Sequence, residues 1–155
     1  MTELGTGFPA PDFTLPATGG AEVSLHSLKG RKVVLFFYAR DNTAGCSNEA
    51  REFRDIYPEL AALGVGLLGV SRDSLASHER FSAKLELPYP LLSDSDGSVC
   101  RKYGVLKEKN MYGKKVLGVE RSTFVIDAAG VVARVFRGVK AAGHAQEVLK
   151  ALKLD

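Results

Sequence analysis

The sequence predicts an α/β fold, a mixed central β-sheet flanked by helices on both faces. Three observations carry that expectation. Residues 33–38 (VVLFFY) form an almost unbroken apolar run rich in β-branched and aromatic residues, the length of a strand buried on both faces. From about Ala44, residues Ala50, Phe53, Ile56, Tyr57 and Leu60 recur three and four apart, the stripe of a helix that buries one side. A second apolar run, 65–70 (VGLLGV), follows it, so a right-handed parallel β-α-β crossover is expected. Late in the chain the order becomes strand, strand, helix, which adds an antiparallel hairpin to the same sheet.

The elements follow in order. Residues 1–30 are rich in proline and glycine, with short pieces at Phe13–Leu15 and Val23–Leu25, and predict an extended arm or a small hairpin around Thr18-Gly19-Gly20. A turn over Ser27–Arg31 leads into the central strand. The helix after it should run to about Leu63 and stop at Gly64, with Pro58 kinking or breaking it because proline lacks an N–H. Ser74–Leu85 has helical periodicity, with Leu75, His78, Phe81 and Leu85 on one side. Pro88 and Pro90 frame a short strand at Leu91–Leu92, and Ser98–Tyr103 is a short helix ending at Gly104. Lys107–Gly118 is polar and predicts a loop running into an edge strand. Ser122–Ile126 and Val131–Phe136 are a strand pair joined by the turn Asp127–Gly130. Gly143 opens a last helix carrying Val148, Leu149 and Leu152 on its apolar face. One domain over 1–155 is the simplest organisation for this length.

Composition narrows the function. The net charge is only +3, and the basic residues are scattered (RK at 31–32, KEK and KK between Lys107 and Lys115), so they read as solvated loops and not as a nucleic-acid footprint. No apolar stretch approaches the roughly 18 residues of a membrane helix, and the N-terminus shows no signal-peptide pattern. Two cysteines in 155 residues are too few for a disulfide scaffold and point to a reducing, cytoplasmic setting. They form no CxxC pair. His26, His78 and His144 show no metal-ligand spacing, so surface or capping roles are expected for them, with no metal and no cofactor.

Cys46 stands out because it falls where the buried strand gives way to the helix, just after Asp41, Asn42 and Thr43, all good helix N-caps. The unpaired N–H groups of a helix's first turn and the helix dipole favour a negative charge placed beside them. The thiolate, not the thiol, is the nucleophilic form of cysteine. Arg40 and Arg51 are near in sequence and could add positive potential. A small buried core cysteine is the alternative reading, but a core cysteine needs no Thr-x-Gly turn before it.

These residues resemble those of the peroxiredoxins, and within them the branch called bacterioferritin comigratory protein or peroxiredoxin Q. The family stretch Pro-x-x-x-Thr-x-x-Cys is matched by Ala39-x-x-x-Thr43-x-x-Cys46. The likeness continues through Asn48-Glu49-Ala50, Phe53-Arg54-Asp55, Gly69-Val70-Ser71-x-Asp73, Leu91-Leu92-Ser93-Asp94, Tyr103-Gly104-Val105 and Arg121-Ser122-Thr123-Phe124-Val125-Ile126-Asp127. It implies a thioredoxin-like fold and thiol-dependent reduction of hydrogen peroxide and organic hydroperoxides. By the same resemblance Cys46 is the peroxidatic cysteine, oxidised to a sulfenic acid. Thr43 offers its hydroxyl to the thiolate or peroxide, Arg121 stabilises the thiolate and the leaving oxygen, and Glu49 orients an arginine. The N–H groups of Gly45 and Cys46 hold the peroxide in line. The implied partners are the peroxide and a thiol reductant, whether thioredoxin, glutaredoxin or a small thiol. The assembly expected is a monomer or a weak homodimer.

Two departures matter. Alanine replaces the motif proline at position 39, which is expected to loosen the loop and slow the peroxidase step. The branch often carries a resolving cysteine five residues after the first, and here that residue is Arg51. Cys100 is the only other thiol. A one-cysteine enzyme reduced by an external thiol is therefore the leading reading. The alternatives are a Cys46–Cys100 disulfide, which requires local unfolding, and a non-enzymatic redox sensor or binding module. A thiol–disulfide oxidoreductase is weakened by the missing CxxC.

Overall fold

The structure is a computed structural model and describes residues 4–154. Residues 1–3 of the N-terminal stretch lie outside the described residues. The central strand β3 (Val33–Phe37) is buried at every position, as its unbroken apolar run requires. It pairs in parallel with β4 (Gly66–Ser71), which pairs in parallel with β5 (Leu91–Ser93). On its other side β3 pairs antiparallel with β8 (Ser122–Ile126), and β8 with β9 (Val132–Arg137). The expected hairpin forms at residues 14–24: β1 (Thr14–Ala17) and β2 (Ala21–Ser24) pair antiparallel. It is not a free arm, because Ala17 of β1 pairs with Leu92 of β5 and extends the sheet. The seven strands lie in the order β2-β1-β5-β4-β3-β8-β9.

Alternation along β3 divides the core in two. Val34 and Phe36 face a cluster closed by α1 (Ala44–Ala62), α2 (Leu75–Leu85) and α4 (His144–Leu154), through Phe53, Ile56, Leu60, Phe81, Leu85, Val148 and Leu149. Val33, Leu35 and Phe37 face the other cluster, covered by α3 (Ser98–Lys102), a 3₁₀ turn (Leu25–Leu28) and Phe13. Phe36 stacks on Phe53 with ring centroids 4.5 Å apart, which anchors α1 against the sheet next to the strand end.

Three expectations need correcting. α1 is not broken at Pro58 but runs through it as one helix. Pro58 is on the exposed side of the helix, away from the packed face. Residues 107–118 are not a loop with an edge strand but a ribbon, β6 (Leu106–Met111) and β7 (Lys114–Val119), forming a two-stranded sheet of its own. Its turn residues Tyr112 and Gly113 have φ of 53° and 77°, the left-handed pair of a type I′ hairpin. Finally, two of the three histidines are core residues. His26 is exposed and meets Asp12, but His78 and His144 are buried. The His144 ring packs edge-to-face with Phe53 and Phe136, and its Nε2 lies 2.7 Å from the Thr123 hydroxyl.

Candidate active site

The site lies at the carboxyl end of β3, where the chain turns into α1. Thr43 is the N-cap of α1, in extended conformation, and Ser47 N–H closes the first helical bond on its carbonyl at 2.8 Å. Cys46 is therefore in the first turn, and it is buried. The Thr43 hydroxyl does not cap the helix. It donates to the Arg40 carbonyl at 3.0 Å, which commits its hydrogen and leaves its lone pairs to accept.

Arg121 reaches the same place from the other side of β3. Because Ser122 of β8 pairs with Phe37, the residue before Ser122 arrives beside the carboxyl end of β3. One guanidinium nitrogen donates to Cys46 Sγ at 3.4 Å and the other to Glu49 Oε1 at 2.7 Å. The arginine thus bridges a sulfur and a carboxylate one helical turn apart on α1. Burial works against its charge, but the Glu49 carboxylate and then Cys46 overcome that and hold Arg121 above its ordinary value. Glu49 is fully buried, and burial pushes its carboxyl up to about 7 even with Arg121 beside it. Its second oxygen has no hydrogen-bond partner among the described residues. Gly45 matters by its size: a Cβ there would stand 3.3 Å from the guanidinium. The positive charge on the sulfur is thus that of Arg121. Arg40 and Arg51 are exposed, and Arg51 donates to Asn48.

Cys100 is elsewhere. It packs in the cluster on the face of the sheet opposite Cys46. Its N–H donates to Asp94 at 2.8 Å, and burial, then the Asp94 carboxylate, push its thiol far above the ordinary range. The sheet lies between the two sulfurs.

A second polar cluster was not anticipated. Asp41, Asp73 and His78 bring ligand-type atoms within 4.8 Å of one another. The atoms are already engaged: Asp73 Oδ2 accepts from Asp41 N–H and Ser71 Oγ, and Asp41 Oδ2 meets His78 and Ser77. A metal would have to displace these bonds, so the donor set does not fit one. Only His78 on an apolar helical face hinted at this cluster in the sequence.

The family model described as AhpC/TSA matches residues 6–135. The chain belongs to the AhpC/TSA family. Peroxiredoxin Bcp of Xanthomonas campestris is 47% identical over 155 residues, 99% of this chain and 97% of the relative. Peroxiredoxin Bcp of Escherichia coli is 40% identical over 153 residues, 99% of this chain and 98% of the relative. A solved structure of the Xanthomonas campestris bacterioferritin comigratory protein, presented with that protein's alkyl peroxide reduction activity, superposes with a TM-score of 0.91 at 45% identity, covering 96% of this chain and 98% of the other. The chain is thus a peroxiredoxin of the bacterioferritin comigratory protein/peroxiredoxin Q branch, with the thioredoxin-like fold and the activity of a thiol-dependent peroxidase. Its substrate is a peroxide and its electrons come from a thiol.

Proposed function

We propose that the protein is a one-cysteine peroxidase in which Cys46 is oxidised by hydrogen peroxide or an organic hydroperoxide and an external thiol resolves it. The observation that carries this reading is the Arg121 bridge between Cys46 Sγ and the buried Glu49. The guanidinium puts a positive charge beside the sulfur that attacks, in the first turn of a helix where anionic groups are accommodated, and the thiolate is the nucleophilic form of cysteine. Thr43 accepts the hydrogen of the attacked peroxide hydroxyl, since its own hydrogen is held by the Arg40 carbonyl. The N–H groups of Gly45 and Cys46, in the first turn where a helix gives its N–H groups no intrahelical acceptor, bind the peroxide oxygens and keep the O–O bond in line with the sulfur.

The electron accounting is simple. The thiolate pair forms an S–O bond, the O–O bond breaks, and RO⁻ leaves. The sulfenic acid keeps the proton of the attacked hydroxyl, and the leaving oxygen takes one from water. Arg121 stabilises the charge on that oxygen as it develops. A reducing thiol then attacks the sulfenic sulfur, releasing water and forming a mixed disulfide that a second thiol opens. Thioredoxin, glutaredoxin and a small thiol are the candidate donors.

The one-cysteine assignment draws support from the place of Cys100. A Cys46–Cys100 disulfide needs Cα atoms within about 7 Å, yet the two belong to core clusters on opposite faces of the sheet. The test is peroxide consumption with each candidate donor by the wild type, Cys46→Ser and Cys100→Ser. Cys46→Ser should be inactive and Cys100→Ser should turn over like the wild type. Activity that depends on Cys100 would overturn the assignment.

A further inference from the structure

We propose that the buried Asp41–His78 pair is a positioning latch for the peroxide site: it ties the loop 39–43 to α2 and so sets the place of Thr43 and of the first turn of α1. Neither residue touches the reacting atoms. The inference rests on the assignment of Cys46 and Thr43 above and concerns what holds them.

Asp41 is a loop residue whose side chain is nonetheless buried, and it is bound on every side. Its Oδ1 accepts from the Tyr38 hydroxyl at the end of β3 at 2.6 Å. Its Oδ2 meets His78 Nδ1 at 2.7 Å and Ser77 Oγ at 2.8 Å, both on α2. Its backbone N–H donates to Asp73, just beyond β4, at 2.9 Å. His78 is held from behind as well, since its Nε2 lies 3.0 Å from the Leu92 carbonyl on β5. A carbonyl can only accept, so Nε2 is the donor in that contact. Burial would raise the Asp41 carboxyl, but the bonds from His78, Tyr38 and Ser77 outweigh it and hold it below its ordinary value.

A buried polar pair of this kind adds little stability over apolar packing of the same volume. What this one adds is position. Directly after Asp41, Asn42 takes φ of 64°, in the left-handed region that side chains other than glycine rarely adopt and asparagine tolerates best. Such a conformation persists where both flanks are held. Asp41 holds one flank. The Thr43 hydroxyl bonded to the Arg40 carbonyl holds the other. The left-handed residue reverses the chain so that Thr43 takes the N-cap position of α1 and Cys46 falls in the first turn. If Asp41 lets go, Thr43 and the first-turn N–H groups lose their register, while Arg121 keeps its own tie to α1 through Glu49.

That separation makes the latch testable. Loss of the latch should damage reaction with peroxide, which needs Thr43 and the N–H groups in place. It should spare alkylation of Cys46 by iodoacetamide, which needs only the nucleophilic sulfur. The two rate constants are measured on the reduced full-length protein. Asp41→Ala should lower the peroxide rate constant about 30- to 100-fold, as an ångström of misplacement does, with alkylation of Cys46 changed less than about threefold. Asp41→Asn, which keeps the shape and most of the hydrogen bonds, should recover to within about fivefold of wild type. Should Asp41→Ala fail to fold, Ser77→Ala and Tyr38→Phe each remove one bond to the same carboxylate and should lower the peroxide rate severalfold at unchanged alkylation. Equal falls in both rates, or no fall in the peroxide rate, would overturn the latch. A slow peroxide reaction in the wild type itself would instead count against the peroxidase assignment of Cys46.

Discussion

Glu49→Gln isolates the cost of keeping a carboxyl at the bottom of this site. The side chain is fully buried, one oxygen is bound by Arg121 and the other has no partner among the described residues. Burial, partly offset by Arg121, raises the carboxyl from its ordinary 4.5 to about 7. Between those two values the folded protein holds a proton that the unfolded chain has lost, so stability falls as pH rises through the window and levels off above the folded value. A shift of that size corresponds to about 3 kcal/mol, at about 1.36 kcal/mol for each tenfold change. Glutamine fills the same space, keeps an acceptor for Arg121 and does not titrate. The assay is urea unfolding of reduced wild type and variant at about pH 4.5 and about pH 8. Other titrating groups cancel in the comparison, and the variant should gain about 3 kcal/mol on the wild type between the two pH values. A gain that is the same at both pH values, or a loss at the higher one, would refute the reasoning and mean that Arg121 fully compensates the charge.

Other substitutions probe the rest of the site. Arg121→Ala strips the sulfur of its cation and leaves Glu49 buried and unpaired, so it should slow peroxide reaction by about 10²- to 10³-fold and lower stability by about 3 kcal/mol, read by stopped-flow fluorescence and denaturant unfolding. Gly45→Ala adds a methyl 3.3 Å from the guanidinium at a helical position. It should keep or slightly raise thermal stability, since alanine favours helix by about 1 kcal/mol over glycine, while the peroxide rate drops about tenfold. Cys100→Ala should leave steady-state turnover within about twofold, with a loss of stability of about 1 kcal/mol from the small cavity it opens.

The parts of the fold that the sequence made legible are those where burial imposes a period. β3 and β4 are apolar because both faces are covered, and the helical stripe from Ala50 to Leu60 is the side of α1 that meets the sheet. The ribbon β6–β7 was illegible for the same reason: most of β7 is exposed, so no face imposes alternation. Its one local signal was the Tyr112-Gly113 turn. In the site, the helix-start position of Cys46 followed from local pattern alone. Arg121 did not, because its contact with Cys46 is made by the antiparallel register of β8 on β3, across 75 residues. Only family resemblance named it. The Asp41–His78 contact is equally non-local, and only the place of His78 on an apolar helical stripe hinted at its burial.

The most direct test of the one-cysteine reading is the intact mass of the reduced protein after one equivalent of hydrogen peroxide, with and without a sulfenic-acid trap. The expected product is a trapped adduct on Cys46 with Cys100 still a free thiol. Loss of two hydrogens without an adduct, abolished by Cys100→Ser, would contradict it and make Cys100 the resolving cysteine.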